Sequence, residues 1–165
     1  MSIPPALHRF WKDFVEATGA ADERRFYEAF AFGDSEALAN ELAALVLAGV
    51  KRATAAAHWI YAAEGQRLPE EGDLSIVTDW AGAPLCVIET TSVETLPFDR
   101  VSAAFAATEG EGDGSLTYWR EAHRAYFTRE CERAGRTFDE SMLIVCECFE
   151  VVYQPPSPHP SPRTL

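Results

Sequence analysis

The sequence predicts an α+β domain, in which a small, partly closed β-barrel has helices packed across its ends. Amphipathic helical segments come first along the chain, and strands rich in β-branched residues appear only from Leu74 onwards. Those strands do not alternate regularly with helices, which argues against a doubly wound parallel sheet. With 165 residues, of which 47% are apolar, the chain suits one domain with a substantial core.

The N-terminal part of the chain is predicted to be helical. A first helix ends at Gly19, as expected of a C-terminal capping glycine, and a second, short helix is expected over residues 22–30. Ser35 then supplies an N-cap for a third helix, which stops at Gly49. The aromatic stripe of the first helix consists of Leu7, Phe10, Trp11 and Phe14.

Strands are predicted in the second half of the chain. Residues 74–78 and 85–93 are expected to form a hairpin across a turn at residues 80–84. Pro97 breaks the second of these strands, and Asp99 is expected to cap a brief helix that continues to residue 107.

The C-terminal part is predicted to contain one long helix and one strand. The helix covers residues 115–134 and closes at Gly135, and the strand covers residues 143–153. Residues 154–165 are rich in proline and are predicted to be a flexible, extended appendage.

Composition and missing motifs exclude several classes of protein. The formal net charge of −12 argues against sequence-blind coating of a long polyanion, although a local pocket for RNA stays open. The four cysteines form no CxxC pair and the histidines are scattered, so we expect free thiols and no zinc site. The motifs HExxH, GxSxG, GxGxxG and GxxxxGKS/T do not occur.

No targeting or membrane segment is predicted. The N-terminus lacks a basic flank followed by an apolar core, and the longest apolar stretch, residues 43–50, is far too short to cross a bilayer. We therefore expect a cytoplasmic location and no membrane partner, while protein partners are not indicated.

Lys51 and Thr54 form the most suggestive chemical segment. They follow the predicted helix end at Gly49 and lie three residues apart, so both can point into one pocket. Lysine offers a cation or, when its pKa falls towards neutrality, a base, and threonine offers a hydroxyl nucleophile. Arg52 could supply the cation that lowers this pKa and is a candidate substrate-binding residue. The alternative is that Lys51 and Arg52 only interact with the helix dipole and stay solvated.

An acidic, glycine-rich loop over residues 109–114 is a second candidate site. Its glycines allow close approach of a ligand, and Glu109 or Glu111 could lie beside a base or help to hold a divalent cation. Ser115, which follows the loop directly, is a further substrate-binding candidate. The alternative is a solvated acidic turn.

Two isolated side chains complete the set of candidates. Glu89 lies within the apolar strand predicted at residues 85–93, and it either faces solvent by alternation or points into a barrel mouth. Tyr118 could stack on a base, whereas the neighbouring Trp119 fits the core stripe of its helix.

A resemblance to the ASCH domain family is carried by four segments: FGDSEALANELAALVLAGVKRAT, LPEEGDLSIV, PLCVIETTSV and FAATEGEGDGSLTYWREAH. The glycine, lysine and threonine after a helix, the GD before a strand and the E-G-x-G loop occur in the family's order. The resemblance implies a PUA-like fold, with residues 1–31 as an N-terminal helical extension, 32–153 as the ASCH domain and 154–165 as the tail.

The resemblance also implies a catalytic site. A family member that hydrolyses N4-acetylcytidine uses a lysine, a threonine three residues later and a distant glutamate, which match Lys51, Thr54 and, by alignment of the preceding short helix, Glu109. Lys51 would take the proton of the Thr54 hydroxyl, which attacks the acyl carbon, and Glu109 would position the amine or pass a proton to the leaving nitrogen. Other members resemble ribonucleases, in which Lys51 or Arg52 would stabilise the phosphorane charge.

Three functions stay open at this point. The leading hypothesis is a hydrolase acting on RNA or a modified ribonucleoside, in its sharpest form by amide hydrolysis of an N4-acetylcytidine-like substrate. The second is cleavage of single-stranded RNA, and the third is a non-catalytic module that binds RNA or a nucleotide. No cofactor is certain and no metal ligands are assigned; a divalent metal is considered only for the ribonuclease.

Overall fold

One five-stranded sheet organises the computed structural model, which describes residues 2–19 and 22–156. The order of strands across the sheet is β1-β3-β4-β5-β2; β1 is parallel to β3, and the other neighbouring pairs are antiparallel. The strands are β1 (Phe26–Phe30), β2 (Ala53–Ala57), β3 (Leu74–Thr78), β4 (Pro84–Pro97) and β5 (Leu143–Tyr153). Because β1 and β2 form the two edges, the sheet is not closed in the described residues. The mixed helix-and-sheet class is therefore confirmed, but the barrel is not.

Helices pack around this sheet, and the predicted first, third and last of them are confirmed. Serine side chains cap α2 and α5, since Ser35 accepts the Leu38 N–H at 3.2 Å and Ser115 accepts the Tyr118 N–H at 3.1 Å. The α-helices are α1 (His8–Thr18), α2 (Glu36–Leu47), α3 (His58–Ala63), α4 (Ala103–Glu109) and α5 (Leu116–Arg133). Short 3₁₀ turns cover Pro5–Leu7, Glu23–Arg25 and Phe98–Arg100.

The helix predicted over residues 22–30 is wrong. After the turn at Glu23–Arg25 this segment forms strand β1, which pairs in parallel with β3. Phe26 and Tyr27 are both buried in that arrangement. Pairing with a distant strand therefore overrides the local preference on which the helix was predicted.

Two boundaries and two elements also differ from the sequence prediction. Strand β4 continues to Pro97, which lies at its last position and so interrupts no further ladder bonds. The cap of α4 is Ser102, which accepts the Phe105 N–H at 3.1 Å, and not Asp99. Neither β2 nor α3 was predicted, because the alanine-rich β2 segment lacks the β-branched signal of a strand.

The core occupies both faces of the sheet. The aromatic stripe of α1 packs with Phe26 and Ile76 on one face, whereas α2 packs through Val46 with Val77 on the other. A third cluster joins α4 and α5 to β2 and β5 and is centred on Trp119. The alternation of Ile76 and Val77 along β3 therefore separates the α1 layer from the α2 layer.

Several smaller predictions concern composition. The four cysteines are free thiols, as expected. Among the described residues, no helix has the length and apolar character needed to span a membrane. Of the proline-rich tail, residues 154–156 have no regular structure, and residues 157–165 lie outside the described residues.

Candidate active site

A pocket of about 390 Å³ opens between α2, β2 and α5. This volume is in the usual range for small-molecule sites. Its wall also includes residues 30–33, which begin at the last residue of β1, and the end of α4. The polar side chains that line it are Glu28, Glu41, Lys51, Thr54, Tyr61, Glu109, Glu111, Tyr118, His123, Tyr126, Arg129 and Glu147.

The end of α2 directs Lys51 into this pocket. Gly49 adopts a positive φ of 76°, and the N–H groups of Val50 and Lys51 both donate to the Leu45 carbonyl, at 2.9 and 3.1 Å. After this turn the Lys51 side chain is buried, with 1% of its surface exposed. The solvated lysine considered above is therefore excluded.

The Lys51 ammonium is fully hydrogen bonded. Its Nζ donates to the Ala53 carbonyl at 2.6 Å, to Glu109 Oε2 at 2.8 Å and to Glu111 Oε1 at 3.0 Å. An ammonium has three N–H donors, so these three acceptors use all of them. Two carboxylates from opposite ends of one short turn thus share a single buried cation.

Glu109, the last residue of α4, is buried beneath α5. Its Oε1 accepts the Trp119 Nε1–H at 2.9 Å and lies 3.3 Å from His123 Nε2. Gly110 follows with a positive φ of 67°, and a Cβ at this position would lie 2.4 Å from the Val50 carbonyl oxygen. Only glycine therefore allows the loop to pass this close to the turn that holds Lys51.

The charges of this network reinforce one another. Burial alone would lower the pKa of Lys51, but the carboxylates of Glu109 and Glu111 outweigh burial and hold it above its ordinary value. Burial alone would raise the pKa of Glu109, but Lys51 and His123 hold it well below its usual range. Lys51 therefore stays an ammonium, and Glu109 stays a carboxylate. A lysine that acts as a base would instead have to be a neutral amine.

Glu111 and His123 complete the network, and the pKa of each is raised. Burial, reinforced by the charge of Glu109, raises the pKa of Glu111 despite the opposing effect of Lys51. The pKa of His123 is also raised, because Glu109 and Glu111 outweigh the effect of its burial. The His123 ring stacks on Trp119 with ring centroids 4.2 Å apart. The sequence contains no signal for His123, because the four histidines are scattered along the chain and its glutamate partners lie in a separate loop.

Thr54 reaches the same pocket from strand β2. Ala55 and Ala57 of this strand pack into the core beneath α5, so alternation turns Thr54 towards the pocket. In the antiparallel pairing of β2 with β5, Thr54 lies directly opposite Glu147. Side chains of such a pair share one face of the sheet, with Cβ atoms about 4.5–5.5 Å apart.

Glu147 is a buried carboxyl group that sequence reasoning missed. Its Oε2 accepts the Thr90 hydroxyl at 2.6 Å, and 8% of its surface is exposed. Burial raises the pKa of Glu147 to about 7, although the bond from Thr90 lowers it. A carboxylate between two cysteines in a largely apolar strand was a usable signal, of the same kind as the one that drew attention to Glu89.

Five of the predicted site residues line the pocket, and three do not. The structure brings together Lys51, Thr54, Glu109, Glu111 and Tyr118. Arg52 is exposed outside the pocket, Glu89 pairs with Arg25, and Ser115 caps α5. Alternation around Lys51 explains the position of Arg52, because neighbouring residues of an extended chain point in opposite directions.

One group of side chains could hold a metal ion. A donor atom from each of Glu109, Glu111 and His123 lies within 4.8 Å of the others. The Lys51 ammonium, however, already bridges the two carboxylates at 2.8 and 3.0 Å. A divalent cation would therefore have to replace this bridge in order to bind.

A desolvated polar network beside a hydroxyl group, in a pocket of this size, is typical of a protein that binds or transforms a small molecule. The chain belongs to the ASCH domain family, whose model matches residues 28–153. This family is generally linked to RNA-related functions.

Solved structures of similar proteins agree with this assignment. An ASCH domain from Lactobacillus crispatus is 40% identical, with a TM-score of 0.83 over 92% of this chain and 97% of that one. Protein EF3133 from Enterococcus faecalis is 35% identical, with a TM-score of 0.78 over 88% of this chain and 86% of that one. Hypothetical protein PH0355, at 15% identity and a TM-score of 0.50, shares the fold alone. No curated protein matches this chain.

Proposed function

We propose that this protein is a hydrolase that removes an acyl group from the amine of a modified ribonucleoside, with N4-acetylcytidine as the model substrate. The observation that carries this proposal is that the Thr54 hydroxyl lines the same pocket as the buried Lys51–Glu109–Glu111 network. A hydroxyl nucleophile, a fixed positive charge and a carboxyl group of raised pKa are the groups that acyl transfer requires.

The charges assign different roles to the network than the family resemblance implies. Lys51 remains an ammonium, so it stabilises negative charge on the acyl oxygen and does not take the Thr54 proton. Glu109 stays ionised and positions Lys51. Glu111, whose pKa is raised, is the residue suited to protonate the leaving amine.

The charge of the pocket favours a nucleoside over a long RNA. Five carboxyl groups line it, whereas its cations are already paired: Lys51 with Glu109 and Glu111, and Arg129 with Asp34 at 3.0 Å. Phosphate groups bind where unpaired positive charge is available. A neutral acylated base therefore suits this lining better than a phosphodiester does.

The direct test is chromatography of N4-acetylcytidine after incubation with the purified protein. The parent protein is expected to release cytidine, and Thr54→Ala is expected to lose at least about 100-fold in rate, because it lacks the nucleophile. Thr95→Ala, which removes an exposed hydroxyl from β4, is the matched control and should retain full activity. Equal turnover by Thr54→Ala would contradict the proposed mechanism, and no turnover by the parent would remove this substrate.

A ribonuclease is the second candidate, favoured by the metal-compatible spacing of Glu109, Glu111 and His123. It predicts shortened products from single-stranded RNA in the presence of a divalent metal, and their loss with a chelator. Saturable binding of RNA or a nucleotide without any product would instead support the non-catalytic module.

A further inference from the structure

We propose that Glu147 is the general base of this pocket, which takes the proton of the Thr54 hydroxyl and is held in position by Thr90. This inference rests on the proposed function only in making Thr54 the nucleophile. It adds a catalytic pair, Thr54 and Glu147, and an orienting residue, Thr90, to the hydrolase described above. The same three residues would serve for any acyl substrate that the pocket accepts.

The sheet itself brings the nucleophile and the base together. Thr54 of β2 and Glu147 of β5 are directly opposed in the antiparallel register, and both line the pocket. Their Cβ atoms are therefore about 4.5–5.5 Å apart, a separation that a threonine hydroxyl and a glutamate carboxyl can bridge by one hydrogen bond. Because the pair is fixed by a strand register, it does not depend on the conformation of a loop.

Thr90 completes an arrangement of nucleophile, base and orienting group. Its hydroxyl donates to Glu147 Oε2 at 2.6 Å, from the neighbouring strand β4. The other carboxylate oxygen, Oε1, has no hydrogen bond within the described part of the chain and remains available for the Thr54 proton. Nucleophilic sites recurrently use a base whose second polar atom is oriented by a third residue.

The environment of Glu147 keeps its proton affinity in the useful range. The titratable groups that face it are Glu28 from β1, Asp73 before β3, Tyr27 from β1 and Tyr61 from α3. None of them is a cation, and Arg67, whose guanidinium lies over the Tyr27 ring, is bound to Asp73 at 2.8 Å. Burial is the main cause that raises the pKa of Glu147 to about 7, where a base accepts protons readily and is still ionised near neutral pH.

The other ionisable groups of the pocket suit this role less well. Lys51 has no free electron pair while it is an ammonium, and the Glu109 carboxylate is a weak base because its pKa is lowered. Glu111 is committed to the Lys51 ammonium at 3.0 Å. Glu28 accepts the Gln66 amide at 3.0 Å and lies on β1, at the opposite edge of the sheet from Thr54.

The chemical step balances with these residues alone. The Thr54 Oγ1–C bond forms as the proton of the hydroxyl passes to the Glu147 carboxylate, and the bond from the acyl carbon to the leaving group breaks. An amine leaving group takes its proton from Glu111. Water then attacks the ester and gives one proton to the Glu111 carboxylate. Thr54 recovers its proton from Glu147 as the bond from the acyl carbon to Oγ1 breaks, and the carboxylic acid leaves.

The test uses p-nitrophenyl acetate, which needs no protonation of its leaving group. The full-length protein is mixed with this ester between pH 5.5 and 9, nitrophenolate release is followed by absorbance, and acid-quenched samples are mapped by peptide mass spectrometry. We expect acetylation at Thr54, with a rate that rises with pH around a midpoint near 7. A protein-free control corrects for spontaneous hydrolysis of the ester. The peptide map separates acetylation at Thr54 from acetylation at Lys12, the exposed one of the two lysines.

Three substitutions separate the base from a structural role. Glu147→Gln is expected to lower the rate at pH 8 by about 100-fold and to abolish the midpoint, since the amide cannot accept the proton. Glu147→Asp should restore part of the rate, with a midpoint again near neutrality. Glu150→Gln, an exposed carboxyl group of the same strand, should behave like the parent.

Thr90→Val tests whether Thr90 acts on Glu147, because the pH midpoint of the acetylation rate would not change if the role of Thr90 were purely structural. The Thr90 bond lowers the pKa of Glu147, so its loss raises that pKa and should shift the midpoint of the rate to higher pH. The rate above the new midpoint should stay within a few-fold of the parent rate. An unchanged midpoint would mean that Glu147 is not the group that titrates.

The outcomes distinguish this inference from the proposed function. Acetylation of Thr54 at an equal rate in Glu147→Gln would overturn the role of Glu147 and leave the hydrolase intact. Hydrolysis of N4-acetylcytidine without any modification at Thr54 would overturn the catalytic pair and the role of Thr54 as nucleophile, and would leave the hydrolase activity standing. Glu147-dependent acetylation of Thr54 in a protein that leaves N4-acetylcytidine untouched would support the pair and remove only the substrate.

Discussion

The two ends of the pocket each contain a buried glutamate, but their charges are controlled in opposite ways. Glu109 lies against Lys51 and His123, and its pKa is lowered in spite of burial. Glu147 lies among Glu28, Tyr61 and Thr90, none of which is a cation, and burial raises its pKa to about 7. Burial acts on both in the same direction, so the partners alone decide which glutamate stays charged.

Because of this difference, the two ends of the pocket suit different chemical roles. The Lys51–Glu109 end holds permanent charges, which suits positioning and electrostatic stabilisation. The Glu147 end holds a proton that is gained or lost near neutral pH, which suits acid–base chemistry. Each of the following predictions alters one end of the pocket.

The largest effect is expected from removing the central cation. Lys51→Met keeps the length of the side chain but leaves Glu109 and Glu111 without their shared partner, and breaking a buried ion pair in this way costs about 3–5 kcal/mol. Urea unfolding at pH 7 measures the loss. Lys12→Met, at an exposed position of α1, is the matched control and should change stability by less than about 0.5 kcal/mol. Equal stability of both variants would show that the network is not a structural unit.

The second prediction concerns how stability depends on pH at the Glu147 end. Its pKa is raised from 4.5 to about 7 on folding, so its contribution is fully present below pH 4.5 and is lost as pH rises through 7. The corresponding free energy is about 3 kcal/mol, reduced where water penetrates the pocket. Glu147→Gln removes this dependence.

The measurement is urea unfolding of both proteins at pH 4.5 and pH 8. The stability of Glu147→Gln relative to the parent should improve by up to about 3 kcal/mol between the two pH values. Glu109 has the opposite sign, because its lowered pKa contributes stability above pH 4.5 that is lost as pH falls. A relative stability that does not change with pH would mean that folding does not raise the pKa of Glu147.

Much of the Lys51–Glu109 end of the pocket could be predicted from the sequence. The glycine that ends α2, followed by Lys51 and Thr54, and the glycine-rich loop after Glu109 are local signals of a chain that turns sharply beside a ligand. The prediction that these three residues share a pocket is met by the geometry, whereas their chemical roles stay predictions. Lys51 as a base could not be judged, because its pKa depends on two carboxylates more than fifty residues away.

The Glu147 end of the pocket could not be predicted from the sequence in the same way. Strand β2 is a run of alanines around Thr54, without the β-branched residues that mark strands, so neither the strand nor its register could be predicted. The partner of Thr54 is decided by that register, and a slip of one residue would turn Glu147 to the other face. The positions of Arg52 and Glu89 outside the pocket could not be predicted for the same reason, since each lies on a segment whose facing direction only the sheet determines.

The smallest predicted effect comes from His123, which lies beside Glu109 and has a raised pKa of its own. His123→Phe keeps the stacking on Trp119 but removes the partner 3.3 Å from Glu109 Oε1. The pKa of His123 is raised in the folded protein, so its stabilising charge is fully present below its unfolded pKa of 6.5 and is lost as pH rises through the folded value. The variant should therefore lose about 1–2 kcal/mol at pH 6 and progressively less towards pH 9.

Urea unfolding across this range checks the slope, with His58→Phe on the half-buried start of α3 as the control. A loss that is equal at pH 6 and pH 9 would mean that His123 is neutral in the folded protein and that Lys51 supplies the positive charge beside Glu109.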